Sequence, residues 1–294
     1  MAEQVLIEAE RISKSFGEQR VLDGVSFRVR RGETLVVLGR SGTGKSVLLK
    51  TLIGLMEPDG GHARVLGEEL STMTEAQRLV ARRRIGYVFQ GSALFDSLSV
   101  WENVGFPLIE RRVDEAKVRE RVANRLRMVG LEHVMEAMPA SLSGGMRKRI
   151  ALARALIDLP RVMLYDEPTT GLDPLTTDVI NQIILRLRGA LEVASVVVTH
   201  DMRSAFTIAD RIIMLDQGRI ISQGTPDEIR ADTQPWVRRF IDGRALDSEA
   251  VDTTMISVGS RSGPFAAVQV SDAGGAAPSS PSVRMRAIRN RRKR

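Results

Sequence analysis

Residues 39–46 of this sequence have the spacing G-x-x-x-x-G-K-S, which is typical of a loop that binds phosphate groups. The loop follows the apolar stretch Thr34–Leu38 and precedes a helical pattern that begins at Val47. Backbone N–H groups of such a loop converge on a phosphate, and the following helix adds the positive end of its dipole. Lys45 is then placed to reach the β- and γ-phosphates of a nucleotide, and the Ser46 hydroxyl is placed to bind Mg²⁺.

Two adjacent carboxylates, Asp166 and Glu167, directly follow four apolar residues that predict a buried strand. Successive residues beyond a strand end point in different directions. One carboxylate can therefore hold Mg²⁺ through its water shell while the other polarises an attacking water. A solvated acidic turn is the alternative for an isolated Asp-Glu pair. The apolar run before the pair and Pro168 after it favour the catalytic interpretation.

Four further motifs are weak when taken singly, but they occur in a fixed order along the chain. They are Gln90 after a short apolar run, Leu-Ser-Gly-Gly at residues 142–145, Asp173 within Gly-Leu-Asp-Pro, and His200 after Thr199. On its own, the Leu-Ser-Gly-Gly tetrapeptide predicts only a helix cap. Their order relative to the phosphate loop makes them informative.

The predicted elements place these motifs at the ends of strands and helices. Apolar or alternating stretches predict strands at residues 5–10, 25–29, 34–38, 63–66, 85–89, 162–165, 195–199, 211–215 and 219–222. Helical patterns follow the phosphate loop, begin again near residue 74, and dominate residues 92–159. The later strands are apolar and separated by helices, which predicts a parallel sheet in an α/β fold.

The phosphate loop, the acidic pair and these four motifs together resemble the nucleotide-binding subunit of an ABC transporter, over about residues 4–240. The resemblance implies an α/β P-loop NTPase fold of the ABC type, with a parallel core sheet and a small antiparallel β-subdomain. It also implies a helical subdomain inserted at about residues 92–159. ATP and Mg²⁺ are the implied ligands, and ATP hydrolysis coupled to transport is the implied activity.

The resemblance further assigns roles to individual residues, because two such subunits pair head to tail and sandwich two ATP molecules. The catalytic groups would be Glu167, His200, Lys45 and Gln90. The ATP contacts within one subunit would be Phe16, Gly39, Arg40, Ser41, Gly42, Thr43, Gly44, Lys45, Ser46 and Val47. The contacts to the partner's ATP would be Ser143, Gly144, Gly145 and Asp173. The metal contacts would be Ser46, Gln90 and, through water, Asp166.

Two positions depart from the usual residues of the family. Phe16 occupies the place of the aromatic residue, more often Tyr, that stacks on adenine, and a core Phe is the alternative interpretation. Met146 follows Leu-Ser-Gly-Gly where Gln is more common, a change that should spare the phosphate contacts. The other histidines, His62 in a predicted turn and His133 at a predicted helix end, are expected at the surface.

Residues 91–108 are rich in apolar and aromatic side chains that suit a groove for a membrane partner. Packing inside the helical subdomain is the alternative for Leu94, Phe95 and Trp101. As a string, this segment and the Leu-Ser-Gly-Gly-Met turn are most similar to ATPases of Mce/Mla-type lipid transporters. That narrower resemblance implies phospholipid or another hydrophobic substrate.

Composition limits the remaining possibilities. The 294 residues carry a net charge of +7, but seven of the 43 basic residues and none of the 36 acidic residues lie at 284–294, so the rest of the chain is neutral. Nucleic acid is therefore not expected as a partner. No Cys is present, which excludes disulfides and thiolate chemistry. No stretch approaches the length of a transmembrane helix, and residues 245–294 have the composition of a disordered extension.

We therefore expect a homodimeric ATPase subunit on the cytoplasmic side of the inner membrane, bound peripherally to integral-membrane permease subunits. An Mce-domain substrate-binding protein and a small regulatory subunit are further expected partners. One alternative is the ATPase of another ABC importer, for an amino acid or other small solute. The other is a non-transport ABC ATPase that acts on nucleic acid, to which only the basic end of the chain points.

Overall fold

Strands with mostly buried side chains organise the protein, and its computed structural model describes residues 4–243. Within this range the strands are β1 (Val5–Phe16), β2 (Gln19–Arg30), β3 (Thr34–Leu38), β4 (Gly60–Val65), β5 (Ile85–Val88), β6 (Val162–Asp166), β7 (Ala194–Thr199), β8 (Arg211–Asp216) and β9 (Arg219–Gly224). The helices are α1 (Lys45–Leu52), α2 (Glu75–Arg82), α3 (Val100–Glu110), α4 (Glu115–Met128), α5 (Gly144–Ala155), α6 (Pro174–Leu191), α7 (Met202–Ile208), α8 (Pro226–Ala231) and α9 (Pro235–Ile241).

Two sheets divide these strands. The larger sheet has the order β5-β6-β7-β3-β8-β9, parallel from β5 to β8 and antiparallel between β8 and β9. The smaller sheet is antiparallel, with the order β2-β1-β4. The predicted α/β fold with a parallel core sheet and a small antiparallel β-subdomain is thereby confirmed.

Side chains of the central strands point alternately into two hydrophobic cores. On β3, Val36 and Leu38 belong to the core that contains α3 to α7, while Leu35 and Val37 belong to the core shared with α1 and the antiparallel sheet. A strand buried on both faces must be apolar along its whole length, which is why β3 reads as a continuous apolar run. The two cores therefore lie on opposite faces of β3 and hold its carboxyl end between them.

The helices α3, α4 and α5 all lie between β5 and β6 in the chain, as the sequence predicts for an inserted helical region. Ser99 caps α3 and forms a capping box with Glu102, and Ser143 caps α5 by accepting a hydrogen bond from the backbone N–H of Met146. None of the helices in the described range is long and apolar enough to cross a membrane. The boundaries 4–240 and 92–159 remain predictions.

Three local predictions need correction, the first because β2 begins at Gln19 and not near residue 25. His62 does not lie in a turn, because it pairs with Glu10 of β1 as part of β4, although it is exposed as expected. Strand β1 is also longer than predicted. Its register shifts between Ala9 and Ile12, where Arg11 has a φ of 49°, and this bulge interrupts the alternating pattern without ending the strand. The predicted extension 245–294 lies outside the described residues.

Candidate active site

The carboxyl ends of three parallel strands bring together three of the four predicted catalytic residues, Lys45, Glu167 and His200. Leu38 of β3 pairs with Thr199 of β7, and Asp166 of β6 pairs with Val198 of β7. The phosphate loop, the acidic pair and His200 each begin where one of these strands stops. Residues from distant parts of the chain therefore meet at one edge of the sheet, where ligands bind in open α/β folds.

The phosphate loop joins β3 to α1, and its backbone requires glycine at position 44. Gly44 has a φ of 94° and caps α1, and a Cβ there would lie 2.6 Å from the carbonyl oxygen of Val21. Lys45 is buried, and its Nζ donates to the carbonyl oxygens of Gly39 and Arg40 at 2.8 Å each. Burial lowers the pKa of Lys45, and the negative charges of Glu167 and Asp166 oppose that shift.

Ser46 and Asp166 form the part of the site that suits a metal ion. The Ser46 hydroxyl donates to Asp166 Oδ1 at 2.8 Å, and the Tyr87 hydroxyl donates to Asp166 Oδ2 at 3.2 Å. Burial and the charge of Asp166 raise the pKa of Tyr87, so Tyr87 acts here as a neutral donor. A hydroxyl and a carboxylate in contact are the hard oxygen ligands that Mg²⁺ prefers, so these residues fit that ion.

Glu167 is buried and lies among groups that stabilise its charge. Its Oε2 accepts hydrogen bonds from Thr170 Oγ1 at 2.9 Å and Thr199 Oγ1 at 3.2 Å, and lies 2.9 Å from His200 Nδ1. Its Oε1 lies 3.7 Å from Lys45 Nζ. Burial alone would raise the pKa of Glu167. The hydrogen bonds from His200 and Thr170 and the nearby positive charges outweigh it, so the pKa lies below its usual value.

His200 presents an exposed ring beside this buried cluster, and Phe16 presents one at the end of β1. The His200 side chain is 55% exposed although its Nδ1 contacts Glu167, so its other nitrogen remains accessible to a ligand. Phe16 ends β1 and is 48% exposed, with Lys14 Nζ 5.9 Å from its ring centroid. The alternative of a core Phe is therefore wrong, and the ring is free to stack on a base.

Gln90 and the residues predicted to reach a partner's nucleotide lie at other edges of the site. Gln90 is exposed two residues beyond Val88, which pairs with Tyr165 on the strand that carries the acidic pair. Ser143 and Gly144 are exposed at the start of α5. Asp173 caps α6 by accepting hydrogen bonds from the backbone N–H groups of residues 175 and 176. These residues surround the cluster without contributing to its hydrogen bonds.

Several residues of the site do not stand out in the sequence. The acidic pair Asp166 and Glu167 is contacted by Tyr87, Thr170, Thr199 and Lys148. Of these four residues, only Thr199 lies within a predicted motif. Tyr87 lies on the strand that leads to Gln90, and this position could have identified it as a candidate site residue. A cavity of about 410 Å³ adjoins the phosphate loop and adds residues from the start of β2, the end of β8 and the turn after β8. Its lining is Gln19, Arg20, Val21, Arg40, Ser41, Gly42, Thr43, Asp216, Gln217 and Gly218.

Comparisons with known proteins agree with this geometry. The profile of the ABC transporter family matches residues 22–170. The Arabidopsis thaliana protein TRIGALACTOSYLDIACYLGLYCEROL 3, chloroplastic, is 44% identical over 256 residues, which cover 81% of this chain and 74% of that protein. A probable ribonucleotide transport ATP-binding protein, mkl, of Mycobacterium leprae is 37% identical over 243 residues, 82% of this chain and 70% of the relative. The sulfate/thiosulfate import ATP-binding protein CysA of Bordetella parapertussis is 41% identical over 240 residues, which cover 80% of this chain and 66% of that protein.

Solved structures show the same architecture. CbiO1 of Clostridium perfringens, part of the ABC transporter complex cbiONQ, matches with a TM-score of 0.72 and 29% identity, covering 81% of this chain and 95% of that one. The ATP-binding cassette MJ0796, in a dimeric post-hydrolysis state with ADP and Pi, matches with a TM-score of 0.70 and 31% identity. The match covers 75% of this chain and 99% of that one. The site described above is thus built on a fold that holds the products of ATP hydrolysis in a relative.

Proposed function

Since this chain belongs to the ABC transporter family, as an ATP-binding subunit that hydrolyses ATP, we propose that it drives the movement of a lipid through separate membrane subunits. The observation that carries the proposal is the 44% identity over 256 residues with a protein named for the lipid trigalactosyldiacylglycerol. The resemblance of residues 91–108 to Mce/Mla-type ATPases supports the same substrate class.

The geometry of the site supports a division of labour within one subunit. Lys45 would leave the carbonyl oxygens that it now contacts and bind the β- and γ-phosphates of ATP, while Phe16 stacks on the adenine. Glu167 would accept a hydrogen bond from the attacking water, and its low pKa keeps it ionised for that purpose. His200, held by Glu167, would contact the γ-phosphate with its exposed nitrogen. Gln90 would orient the same water from the end of β5.

Mg²⁺ would be held by Ser46 and Gln90 directly and by Asp166 through water. Bound there, the ion would neutralise negative charge on the β- and γ-phosphates. Tyr87 would keep Asp166 in place through the hydrogen bond to Oδ2, while Oδ1, which accepts from Ser46 in this structure, would face the metal's water shell.

Each ATP would lie between two copies of the chain. Ser143, Gly144 and Gly145 would contact the partner's γ-phosphate through a hydroxyl, backbone N–H groups and the positive end of α5. Asp173 would link the two sites at the subunit interface. The exposure of Ser143 and Gly144 supports this arrangement, as does the dimeric structure of MJ0796.

The inserted helices carry a surface suited to a permease subunit. Phe95 is 45% exposed and contacts Phe106, with ring centroids 4.8 Å apart. The buried Asn103 holds the loop that presents Phe95, because its amide bonds the backbone of Phe95, Leu98 and Ser99. Leu94 and Trp101 instead pack partly against the core. Docking of a membrane subunit on Phe95 would place the ATPase on the cytoplasmic side of the inner membrane, as a peripheral subunit.

Affinity purification from the native membrane in mild detergent, followed by mass spectrometry of proteins and lipids, tests the proposal. We expect a permease, an Mce-domain protein and bound phospholipid, with or without a small regulatory subunit. Recovery of a permease with a soluble solute-binding protein and no lipid would contradict lipid transport and leave ATP hydrolysis intact.

Import of a small anion is the second candidate function. It is favoured by the 41% identity over 240 residues with a sulfate/thiosulfate import ATP-binding protein. Reconstitution of the purified assembly in liposomes separates the two, because stimulation of ATPase activity by sulfate with its binding protein would support the anion.

A further inference from the structure

Lys148 on α5 contacts the main chain of Glu167. Its Nζ donates to the Glu167 carbonyl oxygen at 3.0 Å, and its side chain is half-buried. Burial lowers the pKa of Lys148, while the charge of Glu167 opposes that shift. A long, flexible side chain loses rotamer entropy when it is held in one position, so this contact indicates a specific role for Lys148.

The backbone of Glu167 has a conformation that depends on such contacts. Its φ of 48° lies in the left-handed region, which is uncommon for a residue with a Cβ. Its N–H donates to the Val198 carbonyl oxygen at 3.0 Å, which fixes one side of the residue to β7. Its carbonyl oxygen accepts from Lys148 and, at 3.4 Å, from the N–H of Thr170. The direction of the carboxylate therefore depends on a group that comes from α5.

The same helix begins with the turn that would face a partner's ATP. Gly145 lies against α6 so closely that a Cβ would be 2.3 Å from Thr176 Cγ2, and the Thr176 hydroxyl donates to Asp173 Oδ2 at 2.5 Å. The start of α5 is thus packed against the start of α6 and, one turn later, bonded to Glu167. A displacement of this turn by a ligand would be transmitted along a rigid helix.

We propose that Lys148 is a positioning residue that couples the turn at residues 143–145 to Glu167. Contact of that turn with the ATP held by a partner subunit would set the position of the Glu167 carboxylate at the subunit's own ATP. The inference rests on the proposed roles of Glu167 and of the turn, and it is independent of the transported substrate.

Steady-state ATPase kinetics of the full-length chain in its purified membrane assembly test this role. Lys148→Met keeps the aliphatic stem and removes the donor, so we expect kcat to fall about tenfold, the effect of one hydrogen bond from a charged donor. KM for ATP should change less than twofold because Lys148 does not touch the nucleotide. Lys148→Arg should recover most of kcat. Lys117→Met, at an exposed lysine of α4, is the matched control and should behave as wild type.

A kcat of Lys148→Met within twofold of wild type would overturn the proposal, as would a rise in KM that accounts for the loss. If Lys148→Met does not fold, Lys148→Leu replaces it, because leucine also lacks a donor and favours helix, and kcat should fall to a similar extent.

A double variant separates this inference from the role of Glu167. In a Glu167→Gln background we expect Lys148→Met to cause no further loss in residual turnover, since it acts through the carboxylate. A further tenfold loss would contradict the proposed path. Normal turnover by Glu167→Gln alone would refute the role of Glu167, whatever Lys148→Met does in the wild-type background.

Discussion

Glu167 is a buried carboxylate whose charge is stabilised by neighbours from three parts of the chain. Thr170 follows it in sequence, Thr199 and His200 end the neighbouring strand, and Lys45 begins α1. These contacts keep the group ionised and orient it, which suits a residue that polarises water. A weaker base with a fixed position is effective when the reaction depends mainly on positioning and electrostatics.

Glu167→Gln should therefore bind ATP but hydrolyse it at least about a hundredfold more slowly, because general bases contribute roughly a hundredfold or more. The amide keeps the size of the side chain, so the closed dimer should accumulate with ATP and be visible by size-exclusion chromatography. Glu110→Gln, at an exposed glutamate of α3, is the control. Comparable steady-state hydrolysis by Glu167→Gln would exclude Glu167 as the base.

The hydrogen bond from Thr170 gives a prediction about pH. It lowers the pKa of Glu167 by stabilising the charged form. Thr170→Val removes this bond at nearly constant volume, so the pKa should rise and the carboxylate should become protonated at a higher pH. We expect the acid limb of the kcat profile to move to higher pH. Thr207→Val, whose hydroxyl bonds the Arg203 carbonyl oxygen instead, should leave the limb unchanged.

At the scale of elements, a buried polar link joins the helix after Asp173 to the helix after His200. Asn181 of α6 donates through Nδ2 to Ser204 Oγ at 3.1 Å, and Ser204 donates to Asp201 Oδ2 at 2.6 Å. Asn181 Oδ1 is buried without a hydrogen-bond partner in the described part of the chain, beside a cavity of about 200 Å³. The two helices that follow catalytic loops are thus connected through their own side chains.

Ser204→Ala should destabilise the protein by about 1–3 kcal/mol, because it leaves the Asn181 amide buried without a partner for either end. Combining it with Asn181→Leu removes the unpaired groups, and the neighbouring cavity gives the larger side chain room. The double variant should therefore be less destabilised than the sum of the single changes. Urea unfolding measures all three, with Ser141→Ala at an exposed serine as control. Strictly additive effects would rule out the coupling.

At the scale of the whole molecule, the region inserted between β5 and β6 places an exposed aromatic side chain, Phe95, just before its helices. Their apolar residues mostly face the core that they share with α6 and α7, but Phe95 remains outside it. An exposed aromatic residue on a loop held by a buried amide suits a recognition site. The ATP cluster and this surface are joined through β5 and Gln90.

Phe95→Ser should weaken assembly with the membrane subunits and leave ATP binding by the chain unchanged. Loss of a buried aromatic contact at an interface typically weakens binding by about tenfold or more. Co-purification from detergent-solubilised membrane measures assembly, and a fluorescent nucleotide measures ATP binding. Leu159→Ser, at an exposed apolar residue outside residues 91–108, is the control. Full recovery of the membrane subunits with Phe95→Ser would place their docking surface elsewhere.

The sequence by itself determined the fold class, the positions of most strands along the chain and the residues that begin each candidate catalytic loop. The reason is that these features depend on local patterns. A strand buried on both faces must be apolar, a phosphate loop needs glycines at fixed spacing, and a helix start needs a capping side chain. The positions of Lys45, Ser46, Asp166 and Glu167 follow from such patterns, and that of His200 follows from the resemblance to the family. The structure brings these five together at one sheet edge.

Only the tertiary structure decided which groups contact Glu167 and which aromatic residues are exposed. Lys148 lies 19 residues before Glu167, and their contact depends on how α5 packs against the larger sheet. Phe16 is exposed at the end of β1, beyond the point where the sequence predicts the strand to stop, and Phe95 is presented by a loop that Asn103 holds. Such contacts join elements whose relative positions come from the packing of two cores across one sheet, and no local pattern encodes that packing.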